Sequence, residues 1–128
     1  MATFHRNSAI AWVAFALLAI ATFAKRVPPK PVAPVISDGI RYAAEGDGRD
    51  QYVVATDVST DKVLWKIRVF HTRIKPFLEE DVQWVFITDL KVEGKSLFVR
   101  DEKSRCYSID LTKKRTKKLE CNGIFPPE

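Results

Sequence analysis

Two cysteines, Cys106 and Cys121, and one histidine beyond the leader, His71, are the residue types here best suited to nucleophilic or redox chemistry. Such chemistry needs a free thiol and a base within reach. In an exported chain, a small even number of cysteines pairs instead. The register favours pairing. If Arg105–Asp110 and Arg115–Cys121 form a hairpin turning near Thr112-Lys113, Cys106 falls close to opposite Cys121. A disulfide between them is therefore expected, in direct competition with a catalytic thiol.

Three other groups invite a chemical reading. Glu79-Glu80-Asp81 could supply a carboxylate pair for acid–base work, but acids following Pro76 also suit the first turn of a short, solvated helical segment. Glu45-Gly46-Asp47-Gly48-Arg49-Asp50 alternates acids with glycine as calcium loops do. Arg49 sits inside that run and the distal glutamate is missing, so a hairpin loop is expected and no metal is assigned. A zinc site would need more histidine or cysteine than remains. Lys113, Lys114, Arg115, Lys117 and Lys118 form the domain's one basic cluster, suited to an anionic contact. No aromatic residue interleaves within it as base stacking would require, so nucleic acid is not expected as a partner. Lysines on a turn and edge strand also block edge-to-edge pairing.

The elements that must position these residues read almost entirely as strands. Ile40–Ala44, Tyr52–Thr56, Lys62–Thr72, Val82–Glu93, Ser96–Asp101, Arg105–Leu111 and Arg115–Cys121 are rich in β-branched and aromatic residues and are separated by Gly- and Asp-bearing turns. In Lys62–Thr72, Val63, Trp65, Ile67 and Val69 share one face, which leaves Leu64 and Phe70 outward as an apolar contact surface. In Val82–Glu93, Val82, Trp84, Phe86, Leu90 and Val92 share a face. One helical turn is expected over Pro76–Asp81. The fold class is all-β: a small antiparallel meander or sandwich of about seven strands, three and then four, preceded by an N-terminal apolar helix.

That helix is the uncharged run Ile10–Ala24, which follows His5 and Arg6 and ends in small residues. It suits a secretory signal peptide. Lys25 and Arg26 directly after it suit an uncleaved anchor, and a buried core helix is the third reading. Pro28, Pro29, Pro31 and Pro34 then stiffen a spacer. The chain divides into a signal peptide or anchor over 1–24, a Pro-rich linker over 25–37 and an all-β domain over 38–125. The formal charge of +5 arises largely before the domain, because Arg6, Lys25, Arg26 and Lys30 have no acidic counterpart there. The basic excess would face phospholipid headgroups, and the domain itself is almost neutral.

Val54-Ala55-Thr56-Asp57-Val58 is similar to Tyr107-Ser108-Ile109-Asp110-Leu111. In each, an aspartate leaves a strand and can close an Asx turn. The first unit, with Ala55, Asp57, Thr60, Asp61 and Trp65, resembles the pyrroloquinoline-quinone-like repeat of bacterial β-propellers, with Asp61 where that repeat has glycine. The resemblance implies a blade-like unit in which Asp57 and Asp110 shape turns and Trp65 and Trp84 anchor core. Long propellers of this type hold a quinone or act as envelope scaffolds. A ring needs about four to eight blades and this chain supplies fewer than two, so no cofactor is expected, and only self-assembly could close a ring. The functional expectation is a non-catalytic binding or scaffold module of the cell envelope, exported or membrane-tethered, with another envelope protein as partner. The alternative is a small extracytoplasmic hydrolase or thiol-redox protein using Cys106 and Cys121 or Glu79-Glu80-Asp81.

Overall fold

A computed structural model describes residues 29–126. The expected N-terminal helix over Ile10–Ala24 lies outside them. Among the described residues no helix is long and apolar enough to cross a membrane.

The chain is all-β. Strands β1 (Val35–Ser37), β2 (Ile40–Gly46), β3 (Asp50–Asp57) and β4 (Val63–His71) form one sheet. Strands β5 (Ile87–Glu93), β6 (Ser96–Asp101), β7 (Cys106–Asp110) and β8 (Arg115–Leu119) form the other. Both are four-stranded antiparallel meanders in sequence order. The additional strand is β1, which falls within the stretch assigned to the linker. It pairs Val35 with Tyr42 and Ser37 with Ile40. Its presence is understandable from the turn: Asp38 and Gly39 take φ of 49° and 74°, a conformation available to Asp and Gly, so the chain reverses at once and the spacer's end joins the sheet.

The two sheets share one core. Tyr42, Val53, Ala55 and Val69 come from the first sheet, and Ile87, Leu97, Val99, Tyr107 and Ile109 from the second. Polar links join the sheets at one end. The buried Gln51 accepts a hydrogen bond from the Ile87 amide at 3.0 Å, and the Val85 amide donates to the Gly48 carbonyl at 3.1 Å. Val85 precedes β5 and Ile87 lies on that sheet's edge strand, so each of these amides takes its partner from the other half of the chain.

Two expectations about faces are corrected by β-bulges, in which an extra residue reverses the alternation. In β4, Gln51 pairs with Phe70 and Tyr52 with Arg68, so Val69 is the extra residue. Phe70 therefore turns inward with Val69 and stacks on Tyr107 at 5.1 Å between ring centroids. It is not the outward contact surface expected. Leu64 is the extra residue of a second shift, between Ala55–Trp65 and Thr56–Val63, and it remains 49% exposed. The expected strand from Val82 starts only at Ile87. A 3-10 turn at Asp81–Gln83 precedes it, in place of a helical turn over Pro76–Asp81. Val85 and Ile87 are the buried residues there, while Val82 is exposed. A further bulge at Thr88 separates Ile87–Asp101 from Asp89–Arg100, which lets Ile87, Leu90 and Val92 all reach the core.

The β7–β8 hairpin pairs Asp110 with Arg115 and Cys106 with Leu119. Cys121 lies two residues beyond, and a disulfide joins it to Cys106 with their Cα atoms 5.2 Å apart. The tail then folds back. Phe125 is buried beneath the Arg100 guanidinium, 5.1 Å from its ring, and Lys91 Nζ donates to the Ile124 carbonyl at 3.1 Å.

Leu97→Ala, at a fully buried position between the sheets, should cost about 2–5 kcal/mol of stability in urea unfolding, as leucine truncations in packed cores do. Reduction of the Cys106–Cys121 disulfide should cost about 2–4 kcal/mol. Equilibrium unfolding with and without dithiothreitol checks it.

Candidate functional site: the aromatic cleft between the sheets

The strand register sorts the loops into two ends. At one end lie the β1–β2, β3–β4, β5–β6 and β7–β8 turns. At the other lie the β2–β3 and β6–β7 turns, the long β4–β5 connection and the disulfide. Asp57 and Asp110 build equivalent turns at the first end, each between the third and fourth strand of its sheet. The Asp57 Oδ1 atom accepts from the Ser59 amide at 2.9 Å, the Ser59 hydroxyl at 2.7 Å and the Thr60 amide at 3.3 Å. The Asp110 Oδ1 atom accepts from the Thr112 and Lys113 amides, both at 2.9 Å. In both turns a non-glycine residue closes the bend with positive φ: Asp61 at 58° and Lys114 at 57°. The following amides match as well. That of Val58 donates to the Gly39 carbonyl and that of Leu111 to the Lys95 carbonyl.

These donors stabilise charged carboxylates. The Ser59 hydroxyl, then the Ser59 and Thr60 amides, hold the Asp57 carboxyl below its ordinary pKa. The Lys113 and Thr112 amides do the same for Asp110.

Between these turns the sheets diverge into an open cleft of ≈ 490 Å³, lined by Asp38, Ile40, Tyr42, Leu64, Trp65, Gly94, Lys95, Leu111 and Lys114. Trp65 is only half-buried. It packs on the edge of the core with its ring 5.9 Å from that of Tyr42, so it forms a cleft wall as well as core. Burial, and secondarily the Asp38 carboxylate, raises the Tyr42 pKa. The cleft thus offers aromatic and aliphatic walls, two lysines and one acid.

The basic cluster does not form a single patch. Lys113 and Lys114 lie on the turn, with Lys114 at the cleft. Arg115, Lys117 and Lys118 lie on β8, where alternation sends Lys117 and Lys118 to opposite faces. Trp84 is far along the chain from Trp65 and sits at the opposite end. There it covers Gly48 and contacts Phe86 edge-on at 6.4 Å.

The cysteines, His71, Glu80 and Asp47 each have a partner away from the cleft. Cys106 and Cys121 are joined. The His71 Nδ1 atom lies 2.7 Å from Asp50 Oδ1. Glu80 pairs with Arg49, which holds its carboxyl below the usual range. Asp47 accepts from the amides of Arg49 and Asp50 at 3.0 and 3.1 Å and so closes the β2–β3 turn. Among the described residues no group of three or more His, Cys, Asp or Glu side chains converges as metal ligands.

Sequence reasoning missed Asp101, although its position just before a Ser-bearing turn carries the signal also read at Asp57. Asp101 is fully buried, yet its carboxylate accepts from the amides of Lys103 and Arg105, from Arg105 Nε at 2.8 Å and from the Tyr107 hydroxyl at 3.2 Å. A buried charge is sustained only by such saturation. Burial, then the Asp101 charge, pushes Tyr107 up to about 12.

No protein-family model matches the chain, and no curated protein matches it significantly.

Because the folded-state pKa of Asp110 is depressed, the unfolded chain binds more protons there as pH falls. Its contribution to stability is present above the unfolded carboxylate pKa and is lost on acidification. Asp110→Asn, which keeps an acceptor for the turn amides but removes the charge, should flatten the acid limb of stability against pH by lowering the neutral-pH plateau modestly. Tyr107 has the opposite sign. Its raised pKa removes stability as pH climbs from about 10 towards 12, so Tyr107→Phe should flatten the alkaline limb in the same urea titrations.

Proposed function

We propose that this protein is a non-catalytic binding or scaffold module of the cell envelope, exported and either tethered by its N-terminal segment or secreted. It engages another envelope protein through the cleft formed by Tyr42, Leu64, Trp65 and Leu111. The cleft carries this reading. It exposes aromatic and aliphatic side chains beside Lys95 and Lys114, and large aromatic residues at the centre of a contact supply most of its affinity. The disulfide supports an oxidising compartment, and the apolar run before Lys25 and Arg26 supports export or anchoring.

The finer reading of the fold is a pair of blade-like units. It is supported by the matching turns at Asp57 and Asp110 and by the same up-and-down order in both sheets. In this reading the two units pack on each other and close no ring, so no cofactor channel forms.

A photo-crosslinking side chain at Leu64 should capture a discrete envelope protein in intact cells, and one at Glu120 should not. Trp65→Ala should weaken binding of the captured protein by about 2 kcal/mol, the scale of an interface hot spot. Equal capture from both positions would refute the assignment of the cleft.

A further inference from the structure

The β4–β5 connection presents an apolar tip that the fold does not use. Phe77 is 94% exposed and Leu78 57% exposed. Exposed apolar residues scattered singly need no explanation, but here Leu78 and the exposed Val82 line one depression on a loop built to hold them out. The Gln83 side chain organises that loop. Its Oε1 accepts from the Lys75 amide at 2.7 Å, and its Nε2 donates to the carbonyls of Lys75, Leu78 and Glu79. The Arg49–Glu80 pair fixes the loop to the β2–β3 turn, and Trp84 packs over Gly48 beneath it. A loop held in this way loses little backbone freedom on binding.

The position of the chain's N-terminal side selects the occupant. Pro29, Lys30, Pro31 and Val32 run beside Gly46 and Phe86, at the end of the strands that carries the β4–β5 loop. The apolar run Ile10–Ala24 is joined to this same end through Lys25 and Arg26. A membrane holding that run would therefore face Phe77 and Leu78, while the aromatic cleft would open at the far end of the strands.

We infer that Phe77 and Leu78 dock into the interfacial region of the bilayer that holds the N-terminal segment, and that they set the domain's orientation on the membrane. The inference rests on the tethered form of the reading above. Exposed Phe and Leu side chains bury at the boundary between headgroups and acyl chains. Two side chains alone would bind a vesicle weakly, but the short spacer keeps them at high local concentration beside the lipid. The loop is not an anionic-lipid site, because Arg73 and Lys75 before its tip are offset by Glu79 and Asp81 after it.

The test uses the full chain in phosphatidylcholine–phosphatidylglycerol vesicles. Both native cysteines are in the disulfide, so an introduced cysteine can carry a single nitroxide. At Phe77→Cys the label should collide with lipid-soluble oxygen in preference to an aqueous nickel complex. At Lys113→Cys, on the opposite end, the preference should be reversed. An aqueous label at position 77 in chains that resist alkaline extraction would overturn docking and leave the anchor standing. A label at 77 shielded from both reagents would mean that protein covers the loop, which also overturns the proposal. Chains released by alkali would sink the anchor itself, and docking with it.

Discussion

Among the described residues, each four-stranded sheet covers its inner face chiefly with the other. A sheet of this size is stable only when one face is removed from water, and the buried residues come in comparable number from both sides of one layer. Everything else follows from holding two meanders at that contact. Gln51 ties them with a buried side-chain hydrogen bond to the Ile87 amide. The bulges at Val69 and Thr88 bring Phe70 and Leu90 to the shared layer. The cleft is where the contact ends, beyond Tyr42 and Trp65, at the end of the strands that carries the turns at Asp57 and Asp110.

The strand grammar was legible in the residues because it is local. Alternation of β-formers, separated by aspartate and glycine turns, locates seven of the eight strands. The aspartates identify their turns because a carboxylate two residues before an amide has one obvious partner. The hairpin register brought the cysteines together for the same reason. The bulges were not legible. Val69 and Phe70 are adjacent apolar residues, and only the tertiary contact with Tyr107 decides that both point inward. The late start of β5 was hidden likewise, since Val82, Trp84 and Phe86 alternate well on paper. Trp84 instead closes over Gly48, where any side chain would collide with its ring.

The candidate site was legible only in pieces. Trp65, Asp57, Asp110 and Lys114 were each singled out, but for turn or core or charge. Their gathering at one end of the molecule is a property of two sheets facing each other, and no window of sequence contains it. Tyr42, Leu111 and Lys95 joined the cleft from strands and turns that had no chemical signature. The buried Asp101 was overlooked because it resembles an ordinary turn aspartate until Arg105 and Tyr107 close over it.

The placement of β1 has a mechanical consequence. This strand is three residues long and is the first element met by any pull arriving through Pro29–Pro34. It runs from the loop-bearing end towards the cleft. Tension between a tether at one end and a molecule gripped in the cleft would therefore act along the strand axis. The ladder between β1 and β2 would be loaded in shear, its hydrogen bonds sharing the force, rather than being peeled open one at a time.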